Sequence, residues 1–216
     1  QAFAKHLSEA GITVDGEPSR AAASGGAREL ASVSSAPLSD ILALSLKTSD
    51  NTMTEVEGRL VAVHAKQSAD FAGASKAVIA QLGKDGFDTS GLTLLDASGL
   101  AKGNKVPARL LAQILAKAAG GEGGSAGRTL VADLPVAALD GTLTNRLHDT
   151  TAAGTVRAKT GSLERTSSLA GVVTTADGRL LAFSILANDF PANGGGAAAA
   201  VIDSHFVAPL ASCGCS

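Results

Sequence analysis

Thr155-Val156-Arg157-Ala158-Lys159-Thr160 opens the last third of the chain, and its β-branched and small residues read as a strand. Two more β-rich runs follow, at 168–175 and 179–187, with Asp177-Gly178 between them. That dipeptide tolerates the positive φ angles of a tight hairpin and is a strong signal for one. The three runs predict an antiparallel meander.

Upstream, apolar residues recur at helical spacing. Leu110, Leu111, Ile114 and Leu115 share one side of a helix predicted over 107–119, with Pro107 near its start. Helices are also predicted from just after Asn51 to about 66, over 71–82 with Gly83 as the stop, and over 39–46. In the last of these Ser39 is the expected N-cap and Asp40 an acidic first-turn residue. Ala2, Phe3, Leu7 and Ala10 give residues 1–10 a helical spacing that stops at Gly11. Short apolar runs at 12–14, 30–33 and 92–95 read as strands, 16–26 as a loop and the glycine-rich 120–127 as a flexible loop. Gly194-Gly195-Gly196 releases a final Ala-rich helix over 197–210. Helices, then a meander, then a terminal helix make an α/β layered architecture with an antiparallel sheet.

A chain of 216 residues is long enough to bury a core. Hydrophobic residues make up 45% of it but aromatics only 3%, so Ala, Val, Leu and Ile must build that core. The same scarcity of rings, with a net charge of −2, disfavours nucleic acid as a partner. No run has the length of a membrane span and no signal-peptide pattern is visible. The first residue is Gln1, not Met, so sequence upstream is expected. Cys213 and Cys215 are too few for a disulfide framework and read as a frayed tail, a local disulfide or an intermolecular one. His6, His64, His148 and His205 have no metal-ligand spacing, and neither a metal nor a cofactor is implied.

Two short motifs carry chemistry. Ser49-Asp50-Asn51 lies just before a predicted helix, and Lys159-Thr160-Gly161-Ser162 ends a predicted strand. Singly, the first is an ordinary capping segment and the second an ordinary turn. Their surroundings add weight: Pro37-Leu38-Ser39 ahead of the first motif, Asp96-Ala97-Ser98-Gly99-Leu100, and Leu134-Pro135-Val136-Ala137-Ala138-Leu139-Asp140-Gly141-Thr142-Leu143. Val156-Arg157-Ala158-Lys159-Thr160-Gly161-Ser162-Leu163 is then followed by Ser168-Leu169-Ala170-Gly171. Together these stretches resemble the C-terminal portion of class C low-molecular-mass penicillin-binding proteins, the D-Ala-D-Ala carboxypeptidases and endopeptidases, over nearly the whole chain.

The resemblance implies a β-lactamase/transpeptidase-like fold, an antiparallel sheet flanked by helices. It implies an extracytoplasmic serine D,D-carboxypeptidase acting on peptidoglycan stem peptides through an acyl-enzyme and acylated by β-lactams, with D,D-endopeptidase activity as an extension. In its terms Lys159 places positive charge across the cleft from the nucleophile, and Ser49 relays a proton to the leaving group. Asn51 hydrogen-bonds the substrate amide, Thr160 offers a hydroxyl to the substrate carboxylate, Gly161 admits the substrate backbone, and the Ser162 N–H is one arm of the oxyanion hole. Asp50 has a structural role.

One signature of that family is missing: no lysine in the sequence has a serine three positions before it. The nucleophile and its partner lysine are therefore expected on an N-terminal segment of the same protein outside residues 1–216, and the fold is expected to be incomplete without it. The alternatives are a non-catalytic peptidoglycan-binding fragment and an esterase or β-lactamase on the same fold. Asp140-Gly141-Thr142 reads as a structural turn near the cleft.

Overall fold

A computed structural model describes residues 2–17 and 19–214, and contacts divide the chain into two units at Ser35. The first unit holds α1 (Ala2–Glu9), closed by Gly11 at φ +81° and by a 2.9 Å bond from the Ile12 N–H to the Leu7 carbonyl. Beyond α1 its described residues have no regular structure and are exposed, Leu30 and Val33 almost fully. The strands expected at 12–14 and 30–33 do not form. A short apolar run becomes a strand only against a hydrogen-bonded neighbour, and neither run has one in its unit.

In the second unit β1 (Val156–Leu163), β2 (Thr166–Thr174) and β3 (Leu180–Asn188) form one antiparallel sheet in that order. The meander is as the alternation predicts, with Gly178 at φ +82° in the second hairpin turn. Register places Val156 opposite Val173, Ala158 opposite Gly171, and Gly171 opposite Phe183. These residues share one face, packed with Leu169, Leu143 and the C-terminal helical segment's Ile202, Val207 and Ala211 into the main core. The core is aliphatic apart from Phe183, as the composition requires. α5 (Ala108–Ala119) packs on β2 and β3 and buries Leu110, Leu115 and Ala118.

The remaining helices are α2 (Leu38–Thr48), α3 (Asn51–His64), α4 (Phe71–Lys84) and α6 (Gly124–Asp133). α3 pairs with α4, and α2 contacts α3 and α6. Three expectations are corrected here. α2 begins at Leu38 after Pro37, and Ser39 bonds the neighbouring Asp40 instead of capping. The run at 92–95 makes only an isolated bridge from Thr93 to Lys105. The glycine-rich segment is not a flexible loop, because α6 starts inside it. A Cβ on Gly123 or Gly127 would stand 3.2 or 2.9 Å from the Ala118 Cα, so these glycines serve close packing on α5.

The terminal helix is also interrupted, as α7 (Gly195–Val201), a π-helical turn (Ile202–Val207) and α8 (Ala208–Ser212). Pro209, at the start of α8, has no N–H to continue the ladder and its ring crowds the preceding turn. Arg146 clamps the π turn with a two-pronged pair to Asp203, at 2.9 Å from Nε and 2.5 Å from Nη2. Cys213 is disulfide-bonded, and Cys215 lies outside the described residues.

Gly171 tests the register. A methyl there would stand 2.6 Å from the Ala158 Cα and overlap the Arg157 carbonyl oxygen, so backbone would have to move. A methyl on Gly161 overlaps only the Ser168 hydroxyl, which can rotate away. Gly171→Ala should lower the unfolding free energy by about 3 kcal/mol, and Gly161→Ala by about 1 kcal/mol or less; urea denaturation of the two variants would separate them.

Candidate active site

α2 and α3 meet at a two-residue corner. Ser49 ends α2 in the left-handed conformation (φ 55°, ψ 45°), its N–H bonded to the Ser45 carbonyl, which also accepts the Asp50 N–H at 3.2 Å. A residue with a Cβ held there costs about 1 kcal/mol, and such strain clusters at functional sites. Asp50 is the N-cap of α3, accepting the Met53 N–H at 2.9 Å. Asn51 is the first, exposed residue of α3.

Both helices are anchored from behind. The buried Ser45 donates its hydroxyl to Glu57 at 3.1 Å. Burial pushes the Glu57 carboxyl above its ordinary value, the Ser45 bond pulls it back, and the charge of Asp50 adds to the rise. Glu55 accepts the Ala97 and Ser98 N–H groups at 3.0 and 2.8 Å, tying α3 to the Asp96 turn. Asp96 is itself buried and accepts from Gly99, Ala101 and Asn104 at 2.7–2.9 Å. Its burial acts to raise the carboxyl, but those bonds outweigh it and hold Asp96 below the usual carboxylate range.

On β1, Lys159 reaches the helix corner, and its Nζ donates to the Ser49 Oγ at 2.7 Å and to the Thr160 carbonyl at 2.8 Å. Arg157, two positions earlier, turns to the Ala132 carbonyl at 3.1 Å. The Thr160 hydroxyl donates to that of Thr142 at 2.9 Å. β1 is an edge strand of the described sheet, covered along its first half by 135–137: Ala158 N–H bonds the Pro135 carbonyl and Ala137 N–H the Val156 carbonyl. Backbone groups alternate sides along a strand, so those of Thr160 and Ser162 face the same open side. The sheet therefore presents a serine–lysine contact, a pair of hydroxyls and outward N–H groups along one edge. That is what a substrate chain added to the edge would meet.

Sequence reasoning singled out Ser49, Asn51, Lys159, Thr160, Gly161 and Ser162. The structure joins Ser49, Lys159 and Thr160 through hydrogen bonds, leaves Asn51 and Ser162 exposed, and sets Gly161 opposite Ser168. It adds Glu55 and Lys47, for which spacing offered no signal since their partners lie on distant segments, and it brings Thr142, read as part of a structural turn near the cleft, onto Thr160. Lys47 donates to both Asp140 oxygens and to the Leu134 carbonyl.

A helix corner ending in serine, facing a lysine on the edge of an antiparallel sheet flanked by helices, defines a β-lactamase/transpeptidase-like protein. The chain belongs to the D-Ala-D-Ala carboxypeptidase 3 (S13) family, whose model matches residues 1–206. It is 43% identical to carboxypeptidase DacB of Mycolicibacterium smegmatis over 194 residues, covering 88% of this chain and 41% of that protein. It is 36% identical to the D-alanyl-D-alanine carboxypeptidase of Actinomadura sp. strain R39, covering 86% and 35%. The crystal structure of penicillin-binding protein 4 from Haemophilus influenzae, complexed with a β-lactam, superposes with a TM-score of 0.77 at 32% identity. That match covers 86% of this chain and 43% of the solved one. The chain thus spans well under half the length of the relatives it matches.

Burial pushes the Lys159 ammonium below the usual lysine range. The folded chain then holds this proton less tightly than the unfolded one. Stability should rise with pH between the depressed value and the ordinary lysine value of about 10.4. A ¹³C titration of the Lys159 Cε should show the depressed midpoint, and Lys159→Met should remove its share of the rise in a pH series of denaturation curves. A midpoint at the ordinary value would mean the ammonium is solvated.

Proposed function

We propose that this chain is the C-terminal part of the catalytic domain of a serine D,D-carboxypeptidase. The enzyme removes terminal D-Ala from peptidoglycan stem peptides outside the cytoplasmic membrane and is acylated by β-lactams. The observation that carries this reading is the 2.7 Å contact of Lys159 with Ser49, made between the two motifs that the family resemblance singles out.

In this reading a serine on an N-terminal segment of the same protein, outside residues 1–216, attacks the carbonyl of the D-Ala-D-Ala bond. The Ser162 N–H stabilises the developing oxyanion, Asn51 holds the substrate amide and Thr160 the terminal carboxylate, while Gly161 leaves room for the peptide backbone. Ser49, polarised by the Lys159 ammonium, gives a proton to the departing amine as the C–N bond breaks and is reprotonated from the nucleophile's side. Water then hydrolyses the acyl-enzyme ester. The apolar faces of α2 and α3 support the missing segment: Leu38, Leu44, Val56, Leu60 and Val63 are each more than half exposed. Exposed apolar surface of this kind is where a further segment or partner packs. Relatives named as predatory endopeptidases share the fold at 22% identity, and crosslink cleavage is a further activity to assay.

Intact mass after incubation with benzylpenicillin is the direct test. A penicilloyl adduct is expected on the full-length protein and none on residues 1–216 alone. No adduct on either would favour a non-catalytic peptidoglycan-binding fragment.

A further inference from the structure

A second polar arm runs parallel to the Lys159–Ser49 contact. Lys47 sits one residue short of the end of α2, and its ammonium makes three bonds, to Asp140 Oδ1 at 2.9 Å, Asp140 Oδ2 at 2.7 Å and the Leu134 carbonyl at 2.8 Å. All three contacts go to one carboxylate and one carbonyl of the 134–140 segment, so this lysine is committed to that segment. Asp140 also accepts the Val136 N–H at 2.8 Å. Its burial acts to raise the carboxyl, but the Lys47 and Val136 bonds win and hold it below its ordinary value. The next residue, Gly141, has φ +57°, and a Cβ there would stand 2.8 Å from the Lys47 carbonyl oxygen. The chain can pass against the end of α2 only as glycine. The residue after it, Thr142, accepts the Thr160 hydroxyl at 2.9 Å.

These contacts close a ring: Ser49, the end of α2, Lys47, Asp140, Gly141, Thr142, Thr160, Lys159 and back to Ser49. We propose that Lys47, Asp140 and Thr142 are positioning residues that hold the Thr160 hydroxyl in place and release its proton when the substrate carboxylate arrives. The inference rests on the carboxypeptidase reading and extends its carboxylate site. The chemistry lies in the direction of one proton. A hydroxyl has one proton and two lone pairs. In the structure Thr160 donates to Thr142, and so presents only lone pairs to an incoming carboxylate. When Thr142 donates to Thr160, the Thr160 proton is free to bond the anion. Thr142, held beside the Lys47–Asp140 pair, accepts in the structure and takes the donor role when the carboxylate arrives, so the pair reverses direction on binding.

The test uses the full-length protein and the rate constant of acylation by benzylpenicillin and by its methyl ester, which lacks the carboxylate. Asp140→Asn and Thr142→Val should each slow acylation by benzylpenicillin about tenfold or more. Each should leave the ester rate within about twofold of its own wild-type value, and Thr142→Ser should restore the benzylpenicillin rate to within about twofold. Equal slowing with both compounds, no slowing, or a Thr142→Ser variant as slow as Thr142→Val would overturn the proposal. Thermal melts establish that each variant is folded; if Asp140→Asn is not, the Thr142 pair decides alone. A wild-type protein acylated by neither compound overturns the carboxypeptidase reading together with this inference. An acylated wild type with unresponsive variants overturns only this one.

Discussion

Everything on β1 follows from the demand that Val156 and Ala158 face the C-terminal helical segment. Both are fully buried, on the face that also carries Leu169, Gly171 and Phe183. Side chains alternate along a strand, and a one-residue slip would turn the whole set over. With Val156 and Ala158 committed to the core, Lys159 has to project from the opposite face, where the end of α2 lies within its reach. Gly171 enforces the choice, because only a residue without a side chain fits opposite Ala158. The position of the lysine is thus decided by aliphatic packing on the other side of the sheet.

The helix corner is held by a different kind of force. α2 is fixed through Lys47 to the 134–140 segment, and α3 through Glu55 to the turn built on Asp96. Each anchor is a charged group bonding backbone N–H or C=O groups, or a carboxylate, and such bonds are among the stronger ones available. Ser49 sits between the two anchors in a backbone conformation it would not choose alone. Burial of Lys159 adds a further cost, since water is withdrawn from an ammonium whose neighbours are a hydroxyl and a carbonyl. Strain and desolvation therefore meet at one contact, and the surrounding packing sustains both.

Much of this was legible in the sequence. Alternation and Asp177-Gly178 revealed the meander, and 3.6-residue spacing revealed α5, because these elements bury one face against a neighbour within the described chain. What was misread had non-local causes. Residues 12–14 and 30–33 have strand composition but no pairing neighbour in their unit. The glycines at 120–127 look like chain flexibility until Ala118 is seen against them, and Pro209 breaks a helix whose alanines promised continuity. At the site, Ser49 and Lys159 stood out because each lies in a compact motif. Lys47 and Asp140, 93 positions apart, and Thr142 and Thr160, 18 apart, have no signature in spacing, and only the folded chain brings them together.

Asp50 is the middle letter of the Ser49-Asp50-Asn51 triplet, and its carboxylate is spent on the Met53 N–H. In the proposed reading its neighbours serve a ligand, but this position answers to the first turn of α3. The alphabet open to it is that of helix starts: aspartate, asparagine, serine, threonine and, at some loss, glycine. A collection of variants selected only for folding should drift within that short alphabet. On that reading the triplet is two functional letters separated by a punctuation mark.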